Sequence, residues 1–488
     1  MTRDLLAPLA PAEAGIVVEN LSLDSRTVRP GTLFGALPGR AQDGAAFIAD
    51  AVRRGAAAVL AGHGTAWPEN TPRVPLLLSA EPRSLFARLA ARHAGPQPSR
   101  VVAITGTNGK TSTAEFGRQL AALRHRPAAS LGTLGLRSDV ALDLDGPALT
   151  TPDSVSLART LAALKRAGIE DVFLEASSHG IEQHRLDGVR ISAAGFSNLS
   201  RDHLDYHGTL DAYRDAKLRL FSALLPDGAV AVANADMDPD TLSALRTIAH
   251  ARALRFREVG ENGRFVRLLR AVPVAAGQVV TLEAAGQSHE LHLRLPGRFQ
   301  ADNALLAAAL AAGDDDDIAD ILPLLASLGG VRGRMELAAT LPGHSAAYVD
   351  YAHTPDALRR LLQALRPHAA EANGRLVVVF GAGGDRDRGK RPLMGGVAAE
   401  LADVAVVTDD NPRTEDAAAI RQEVMAGCPG AIEIADRAEA IATALSMLHP
   451  GDVLAVAGKG HEQGQIIGTA VLPFDDVATV RRLAGYAP

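Results

Sequence analysis

Short apolar runs alternate with amphipathic stretches along most of this 488-residue chain. Runs of three to five residues, rich in valine and often followed by turn residues, are typical of buried parallel strands. The helical stretches between them complete βαβ units. The alternation therefore predicts an α/β protein with parallel sheets. The predicted strands are 101–105, 172–174, 229–232, 347–350, 376–380, 404–408 and 453–457, and the alternating segment 279–295 predicts antiparallel strands at one edge.

Length and polar joints divide the chain into three predicted domains. A soft rule of about 150 residues per domain gives roughly three. The segment 93–100 (HAGPQPSR) is typical of a linker between a helical pattern and a strand. A second predicted linker lies at 329–336 (GGVRGRME). We predict domains at 1–96, 97–333 and 334–488.

Composition favours a cytoplasmic enzyme. The net charge of −6 gives no broad basic field, so nucleic acid is not an expected partner. No apolar run approaches the roughly 18 residues of a membrane span, and the N-terminus lacks the pattern of a signal peptide. The single cysteine, Cys428, excludes an intrachain disulfide and fits a reducing compartment. We expect no membrane insertion, and a monomer.

The strongest local signal is the segment ITGTNGKTS, which follows a predicted strand and precedes a helical pattern. A glycine-rich turn at a helix N-terminus presents backbone N–H groups and the helix dipole to an anion. The loop is shorter than the general phosphate-loop pattern, because its first glycine would fall at Ile104. A plain surface turn is the alternative. The phosphate-binding prediction covers Gly106, Thr107, Asn108, Gly109, Lys110, Thr111 and Ser112, with Lys110 at the outer phosphates and the Thr111 hydroxyl on Mg²⁺.

Polar residues after a second predicted strand point to a metal and a ligand. Glu175 ends that strand, and a carboxylate there can hold Mg²⁺ beside the phosphate loop or serve only as a helix cap. The next segment, SSHGIEQHR at 177–185, suits a polyanionic, sugar-bearing ligand or is a plain polar loop. Further on, Lys217 stands alone on a helical pattern, where a lysine is most often solvated.

Four charged loops follow predicted strands in the last third, at 350–356, 381–392, 409–416 and 458–462. In the first, Thr354 and Pro355 form a helix start. Arg386 and Arg413 can form forked hydrogen bonds with carboxylates, while Asp410 and Glu462 can hold ammonium groups. The set suits a ligand that carries both charges, although each loop alone could be mere surface.

These motifs together resemble the Mur ligases and their relatives, the folylpolyglutamate synthetases. The resemblance rests on GTNGKTS, on Thr-Thr-Pro-Asp at 150–153, on HLDYHG followed by Y-x-x-A-K, and on Asp-Asn-Pro-Arg at 410–413. It implies a uridine-nucleotide-binding N-terminal domain, a central P-loop-type ATPase domain with a parallel sheet, and a Rossmann-like C-terminal domain that binds an amino acid. It also implies ATP and Mg²⁺ as cofactors and an acyl phosphate intermediate.

The resemblance assigns further residues to ligands. Lys217 becomes a carbamate that ligates a second Mg²⁺ with His203, and Lys110, Lys217 and His203 are the implied catalytic residues. The metal set is Thr111, Glu175, His203 and Lys217. Besides the phosphate loop, the implied ATP contacts are Asn303, Arg334, Asp350 and His353. The implied uridine-substrate contacts are Leu23, Ser25, Arg40, Ala41, Gln42, Thr150, Thr151, Ser177, Gln183 and Arg185.

Within the family, the four loops resemble those of members that add meso-2,6-diaminopimelate to a UDP-N-acetylmuramoyl dipeptide in peptidoglycan precursor synthesis. The implied amino-acid contacts are Arg386, Asp410, Asn411, Pro412, Arg413, Gly458 and Glu462. The expected partners are therefore small molecules. A lysine-adding ligase and an enzyme like the folylpolyglutamate synthetases remain as alternatives.

Overall fold

In the computed structural model of the chain, residues 17–39, 43–140, 149–200, 204–274 and 276–486 are described. The predicted contacts at Arg40, Ala41, Gln42 and His203 lie outside these ranges. The chain divides into two compact units, Met1–Glu258 and Val259–Pro488. The boundaries of the three predicted domains stay a prediction.

In the first unit, strands and helices alternate. Its strands are β1 (Asn20–Ser22), β2 (Thr32–Ala36), β3 (Ala56–Gly62), β4 (Leu76–Ser79), β5 (Arg100–Thr105), β6 (Ala128–Gly132), β7 (Gly135–Ser138), β8 (Asp171–Glu175), β9 (Ile191–Phe196) and β10 (Val230–Asn234). Its helices are α1 (Ile48–Arg53), α2 (Pro82–Ala94), α3 (Lys110–Leu123), α4 (Ser154–Arg166), α5 (Ser178–Glu182), α6 (Leu204–His207), α7 (Leu210–Arg219) and α8 (Pro239–Ala251).

The strands of the first unit form two sheets. The first sheet is parallel in the order β1-β2-β3-β4. The second runs β10-β9-β5-β8-β6-β7, parallel except for β7. Because β5 lies between β9 and β8, the carboxyl ends of these three strands are neighbours. That edge is where ligands bind in open parallel sheets.

The second unit follows strand β11 (Arg255–Gly260), which crosses the division. Its further strands are β12 (Val266–Val274), β13 (Gly277–Ala284), β14 (Gln287–Leu293), β15 (Glu336–Leu341), β16 (Ser345–Asp350), β17 (Leu376–Phe380), β18 (Val404–Val407), β19 (Ile432–Glu433), β20 (Val453–Ala457), β21 (Gly464–Ile467) and β22 (Ala470–Pro473). Its helices are α9 (Arg298–Ala311), α10 (Ile318–Ile321), α11 (Pro355–Glu371), α12 (Lys390–Leu401), α13 (Ala417–Met425), α14 (Arg437–Ser446) and α15 (Asp476–Leu483).

Three groups of strands organise the second unit. Strands β12, β13 and β14 are antiparallel, which confirms the prediction for 279–295. A six-stranded sheet runs β15-β16-β20-β17-β18-β19, parallel except for β15, and β21 and β22 form a separate hairpin. The four loops predicted to bind one ligand follow the neighbouring strands β16, β20, β17 and β18. The predicted α/β class with parallel sheets is therefore confirmed.

Candidate active site

The phosphate loop joins the central strand β5 to the start of α3, as predicted. Gly109 caps the helix with φ +83°, and Gly106 has φ +145°. A Cβ at Gly106 would lie 2.0 Å from the Ser197 hydroxyl oxygen. Gly109 therefore requires glycine because of its backbone angles. Gly106 requires glycine because of both its backbone angles and the lack of space for a side chain.

The loop rests on residues that follow the neighbouring strand β9. The Asn198 carbonyl accepts from the Thr107 N–H at 2.8 Å, and the Asn198 side-chain oxygen accepts from the Asn108 N–H at 3.0 Å. The Ser200 carbonyl accepts from the Thr107 hydroxyl at 3.2 Å. The Thr107 and Asn108 amides are thus engaged within the protein. The candidate anion donors are therefore the N–H groups in the first turn of α3, which have no acceptor within the helix. Sequence reasoning missed this support, because the order of strands is not written in the sequence.

Two lysines meet at the Gly106 carbonyl. The Lys110 ammonium donates to the carbonyls of Gly106 at 2.9 Å and Thr107 at 2.8 Å. The Lys217 ammonium donates to the same Gly106 carbonyl at 2.8 Å and lies 4.3 Å from the centre of the Tyr213 ring. Lys217 is only 1% exposed. The solvated alternative is therefore wrong, and α7 places this lysine under the phosphate loop.

Glu175 ends β8 on the other side of the loop and is 2% exposed. Its carboxylate accepts from the Thr133 N–H at 2.8 Å and the Thr133 hydroxyl at 3.2 Å. Burial raises the pKa of Glu175, and the nearby Lys110 charge and hydrogen bonds from Thr133 and Thr111 partly offset this. The helix-cap alternative is wrong, because Ser177 caps α5.

Glu175 and Thr111 supply oxygen atoms of the kind that Mg²⁺ prefers. Among the residues that the structure describes, no group of three or more His, Cys, Asp or Glu side chains could hold a metal by itself. Mg²⁺ usually takes one or two carboxylates together with substrate phosphates. The donors at this edge therefore fit a magnesium ion that arrives with a nucleotide.

The predicted contacts between Thr150 and Arg185 gather beside Glu175. The Thr151 hydroxyl donates to the Glu175 carbonyl at 2.8 Å and accepts from the Ser177 N–H at 3.0 Å. Arg185 donates to the Thr151 carbonyl at 2.6 Å and to the Gln183 side-chain oxygen at 2.7 Å. The Thr150 and Thr133 hydroxyls are 3.0 Å apart. One polar surface thus runs from the metal donors to Arg185.

The N-terminal sheet adds residues to the same unit. Ser25 opens a 3₁₀ turn that follows Leu23 and is capped by Asp24. Arg83, at the start of α2, donates to the Pro38 carbonyl at 2.6 Å, just before the predicted contacts at 40–42. Burial lowers the pKa of Arg83 and of Arg185, and the charge of Arg83 lowers the pKa of Arg185 further. Arg83 was not among the predicted contacts.

In the second unit, three predicted nucleotide contacts lie around Tyr351. The Arg334 guanidinium carbon is 5.4 Å from the centre of the Tyr351 ring, and the His353 ring centre is 4.6 Å from it. The Asp350 carboxylate accepts from the Met335 N–H at 2.7 Å and the Ala352 N–H at 2.8 Å, and burial raises its pKa. The fourth contact, Asn303, lies elsewhere in this unit, buried in α9, and donates to Gln300 at 3.1 Å.

The four charged loops of the second unit meet at one edge of its parallel sheet. A Cβ at Gly383 would lie 2.9 Å from the Arg413 guanidinium and 4.0 Å from the Arg386 side chain. On the other side, a Cβ at Gly458 would lie 2.5 Å from the Asp410 carboxylate. The Asn411 amide donates to Glu462 at 2.9 Å. The edge therefore presents two guanidinium groups and two carboxylates, which matches a ligand with both charges.

Buried arginines that the sequence reasoning missed support these loops. Arg391 donates to Glu415, Glu423 and the Gly383 carbonyl. Arg437 pairs with Asp476 in full burial and donates to the Asp409 carbonyl, at the start of one loop, and to the Ala457 carbonyl, directly before another. An arginine buried without a partner would be very costly, so these pairs fix the loop bases.

Comparisons with known proteins point to one family. Residues 17–92 match the Mur ligase family catalytic domain, residues 104–311 the Mur ligase middle domain, and residues 333–460 the Mur ligase glutamate ligase domain. UDP-N-acetylmuramoyl-L-alanyl-D-glutamate--2,6-diaminopimelate ligase of Caulobacter vibrioides is 50% identical over 476 residues, which cover 96% of each chain. The protein of the same name from Brucella melitensis is 49% identical and covers 98% of this chain and 96% of its own.

Solved structures give the same picture. A structure of a UDP-N-acetylmuramoyl-L-alanyl-D-glutamate--2,6-diaminopimelate ligase has a TM-score of 0.75 at 33% identity and covers 99% of both chains. The Mycobacterium tuberculosis folylpolyglutamate synthase in complex with ADP and AMPPCP has a TM-score of 0.57 at 21% identity, covering 83% of this chain and 95% of its own, which shows a shared fold alone. No helix in the described residues is long and apolar enough to span a bilayer.

Proposed function

The chain belongs to the Mur ligase family, and from this premise we propose that it is an ATP-dependent ligase. It joins an amino group of 2,6-diaminopimelate, in its meso form, to the D-glutamyl carboxylate of UDP-N-acetylmuramoyl-L-alanyl-D-glutamate. The product is a peptidoglycan precursor. The observation that carries the proposal is the meeting of four charged loops at one sheet edge, in a chain that is 50% identical over 96% of its length to a relative named for this reaction.

The reaction has two steps. The D-glutamyl carboxylate oxygen attacks the γ-phosphorus of ATP, ADP leaves, and an acyl phosphate forms. An amine nitrogen of diaminopimelate then attacks the acyl carbon, the C–O bond to phosphate breaks, and the nitrogen loses a proton. Such chemistry depends mainly on positioning and on charge stabilisation.

The first unit supplies the groups for ATP. Lys110 and the first turn of α3 hold phosphate oxygens, since an ammonium group and the positive end of the helix dipole attract anions. Glu175 and Thr111 would hold Mg²⁺, which when bound neutralises charge on the transferring phosphoryl group. The cluster from Thr150 to Arg185, together with Leu23 and Ser25, holds the uridine-linked substrate. The Glu175 carboxylate is buried, its hydrogen-bond donors are neutral, and the charge of Lys110 lies nearby. This burial supports the assignment of Glu175 as a ligand of Mg²⁺.

The second unit supplies the groups for the amino acid. Arg386 and Arg413 fit forked hydrogen bonds to its carboxylates, and Asp410 and Glu462 fit its ammonium groups. Asn411, Pro412 and Gly458 complete the surface. Arg334, Asp350, His353 and Asn303 are proposed nucleotide contacts of this unit. The enzyme acts in the cytoplasm as a monomer on small molecules.

Lys217 is proposed to act as a carbamate. The buried amine lies at the Gly106 carbonyl, where an ammonium would repel a nearby metal but a carbamate would be a ligand. The carbamate forms when the neutral amine attacks CO₂ and loses a proton.

We expect Lys217→Ala to lose about a hundredfold or more in kcat, and millimolar formate or acetate to restore part of it. Lys165→Ala, on the half-exposed face of α4, is the control. Failure of every small carboxylate to restore activity would contradict the carbamate.

A phosphate-release assay tests the proposed function. Purified protein, ATP, Mg²⁺ and the uridine-linked dipeptide should release phosphate with meso-diaminopimelate and far less with lysine. Release with lysine alone would favour a lysine-adding ligase, and release with neither would refute the proposal.

Arg413→Ala should raise the KM for diaminopimelate about a hundredfold, as for the loss of a charged hydrogen-bonding group, and leave ATP binding nearly unchanged.

A further inference from the structure

The hairpin of β21 and β22, residues 464–473, is attached to the loop Asp410–Arg413, which we call the acceptor loop. The Gln465 side-chain amide donates to the Asp410 carbonyl at 2.8 Å. The Ile466 N–H donates to the Asn411 side-chain oxygen at 2.9 Å. The hairpin therefore holds the first half of the acceptor loop through one side chain and one backbone amide.

The second half of the acceptor loop is held more tightly. Arg413 has φ +52°, a left-handed conformation that residues other than glycine adopt only when their surroundings impose it. Its N–H donates to the Ile466 carbonyl at 3.0 Å, and its carbonyl accepts from the Gly468 N–H at 2.7 Å. The strained backbone of Arg413 is thus bracketed on both sides by the hairpin.

The Arg413 guanidinium points in a direction that this backbone sets. It donates to the Gly384 carbonyl at 2.8 Å, on the loop that also carries Arg386. A backbone change at Arg413 would move the guanidinium away from this contact, since χ angles start from the Cα. The hairpin therefore acts on the amino-acid site without having to touch its ligand.

Lys459 is fully buried and also contacts the acceptor loop. Its ammonium donates to the Asn411 side-chain oxygen at 3.0 Å and to Glu462 at 3.2 Å. With the bond from Ile466, the Asn411 oxygen accepts two hydrogen bonds, which fills its two lone pairs. The buried Lys459 ammonium thus links Asn411 to Glu462, and the hairpin holds Asn411.

We propose that the hairpin 464–473, together with Lys459, is a positioning device that sets the affinity of the site for a diamino dicarboxylic acid. Gln465, Gly468 and Lys459 are positioning residues that act through Asp410, Arg413 and Glu462. The inference rests on the proposed function, because it assumes that the acceptor loop binds the amino acid. It predicts that changes in the hairpin raise the KM for the amino acid while the KM for ATP stays the same.

Two hairpin variants and one control variant separate positioning from general stability. Gly468 has φ +59° with open space around its absent Cβ, so Gly468→Ala adds backbone strain beside Arg413 without a clash. Gly286, in the turn between β13 and β14, has φ +73° and equally open space, so Gly286→Ala is the matched control. Gln465→Ala removes the bond to Asp410 and adds no strain, which keeps the test decisive if Gly468→Ala folds poorly.

Each variant is assayed by phosphate release at varied diaminopimelate and at varied ATP, with thermal unfolding measured alongside. Gly468→Ala and Gln465→Ala should raise the KM for diaminopimelate about three- to tenfold, as for one lost hydrogen bond. Their KM for ATP should match wild type, and Gly286→Ala should match wild type in both. An unchanged KM for diaminopimelate in both hairpin variants, or an equal rise in Gly286→Ala, would overturn the inference. A wild-type enzyme that ignores diaminopimelate would instead refute the proposed function.

Discussion

At the scale of single residues, Glu175 shows how a proposed metal ligand can reduce the stability of the fold that carries it. Its carboxylate is buried, and its hydrogen-bond donors from Thr133 are neutral. The burial raises its pKa, which means that the folded state disfavours the ionised form. Folding stability from this group falls as the pH rises above the ordinary value of 4.5 and through the raised folded pKa. At neutral pH an ionised Glu175 therefore lowers stability until a cation binds.

We accordingly predict that Glu175→Gln is more stable than wild type at pH 7.5 without nucleotide or metal, and nearly inactive. The amide oxygen of glutamine can still accept from the Thr133 N–H, and the buried charge is gone. Phosphate release should fall by about a hundredfold or more, because Glu175 is a proposed ligand of Mg²⁺. Thermal unfolding at pH 7.5 and at pH 4.5 measures the stability. The advantage of the variant should shrink at pH 4.5, and a lower unfolding temperature at pH 7.5 would contradict the account.

Local structure was predictable where a short sequence pattern specifies it. The glycines and Lys110 of the phosphate loop lie where their spacing placed them, and Thr354 caps α11 as its sequence indicates. The burial of Lys217 could not be predicted, because it depends on how α7 packs beneath a loop more than a hundred residues earlier. The same holds for Asn198, whose contacts with the phosphate loop depend on strand order.

At the scale of elements, helix α12 follows the loop that carries Arg386 and contains two adjacent glycines with opposite surroundings. A Cβ at Gly395 would lie 2.2 Å from the Val424 carbonyl of α13, whereas a Cβ at Gly396 would meet nothing within 4 Å. The first glycine permits the close approach of α12 and α13. The second only adds freedom to the unfolded chain.

Alanine at these two positions should therefore change stability in opposite directions. We expect Gly395→Ala to lower the free energy of unfolding by about 1–3 kcal/mol, because overpacking forces the helices apart. Gly396→Ala should raise it by about 0.5–1 kcal/mol, from helix propensity and a less flexible unfolded chain. Urea unfolding of both variants beside wild type measures the difference. Equal effects of the two alanine substitutions would show that α12 and α13 do not pack closely at Gly395.

Helices and strands were largely predictable, because periodicity and capping are local. The predicted strand at 229–232 is β10 (Val230–Asn234), and the alternating segment gave the antiparallel pair β13 and β14. The hairpin of β21 and β22 was missed. Its strands have four residues each, and its hydrogen bonds to the acceptor loop join segments about fifty residues apart.

At the scale of the whole molecule, the architecture follows from the βαβ alternation, whereas the packing between distant segments does not. One such packing lies inside the second unit, where His368 of α11 meets the antiparallel strands. Its Nδ1 is 2.7 Å from the Val274 carbonyl at the end of β12, and its Nε2 accepts from the Gly297 N–H at 2.8 Å, at the start of α9. These two contacts require a neutral ring with the proton on Nδ1.

Burial lowers the pKa of His368, and the hydrogen bond to Val274 offsets this only in part. For a base whose folded pKa is depressed, the contribution to stability is complete above the unfolded value of 6.5 and is lost as the pH falls through the folded pKa. Protonation would also place a second N–H against the Gly297 N–H. The second unit should therefore lose stability below pH 6.5, at a limiting slope of about 1.4 kcal/mol per pH unit for one proton.

We predict that His368→Gln flattens this pH dependence. Glutamine can donate to one backbone group and accept from another without titrating between pH 5 and pH 8. The variant should be about 1–2 kcal/mol less stable than wild type at pH 8, since its shape differs from that of the ring. The gap should narrow as the pH falls to 5.5, because only the wild type takes up a proton at this site on unfolding. Urea unfolding of the second unit, followed between pH 8 and pH 5.5, measures both slopes. If the free energy of unfolding changed with pH equally in both proteins, His368 would not be the group responsible for the pH dependence.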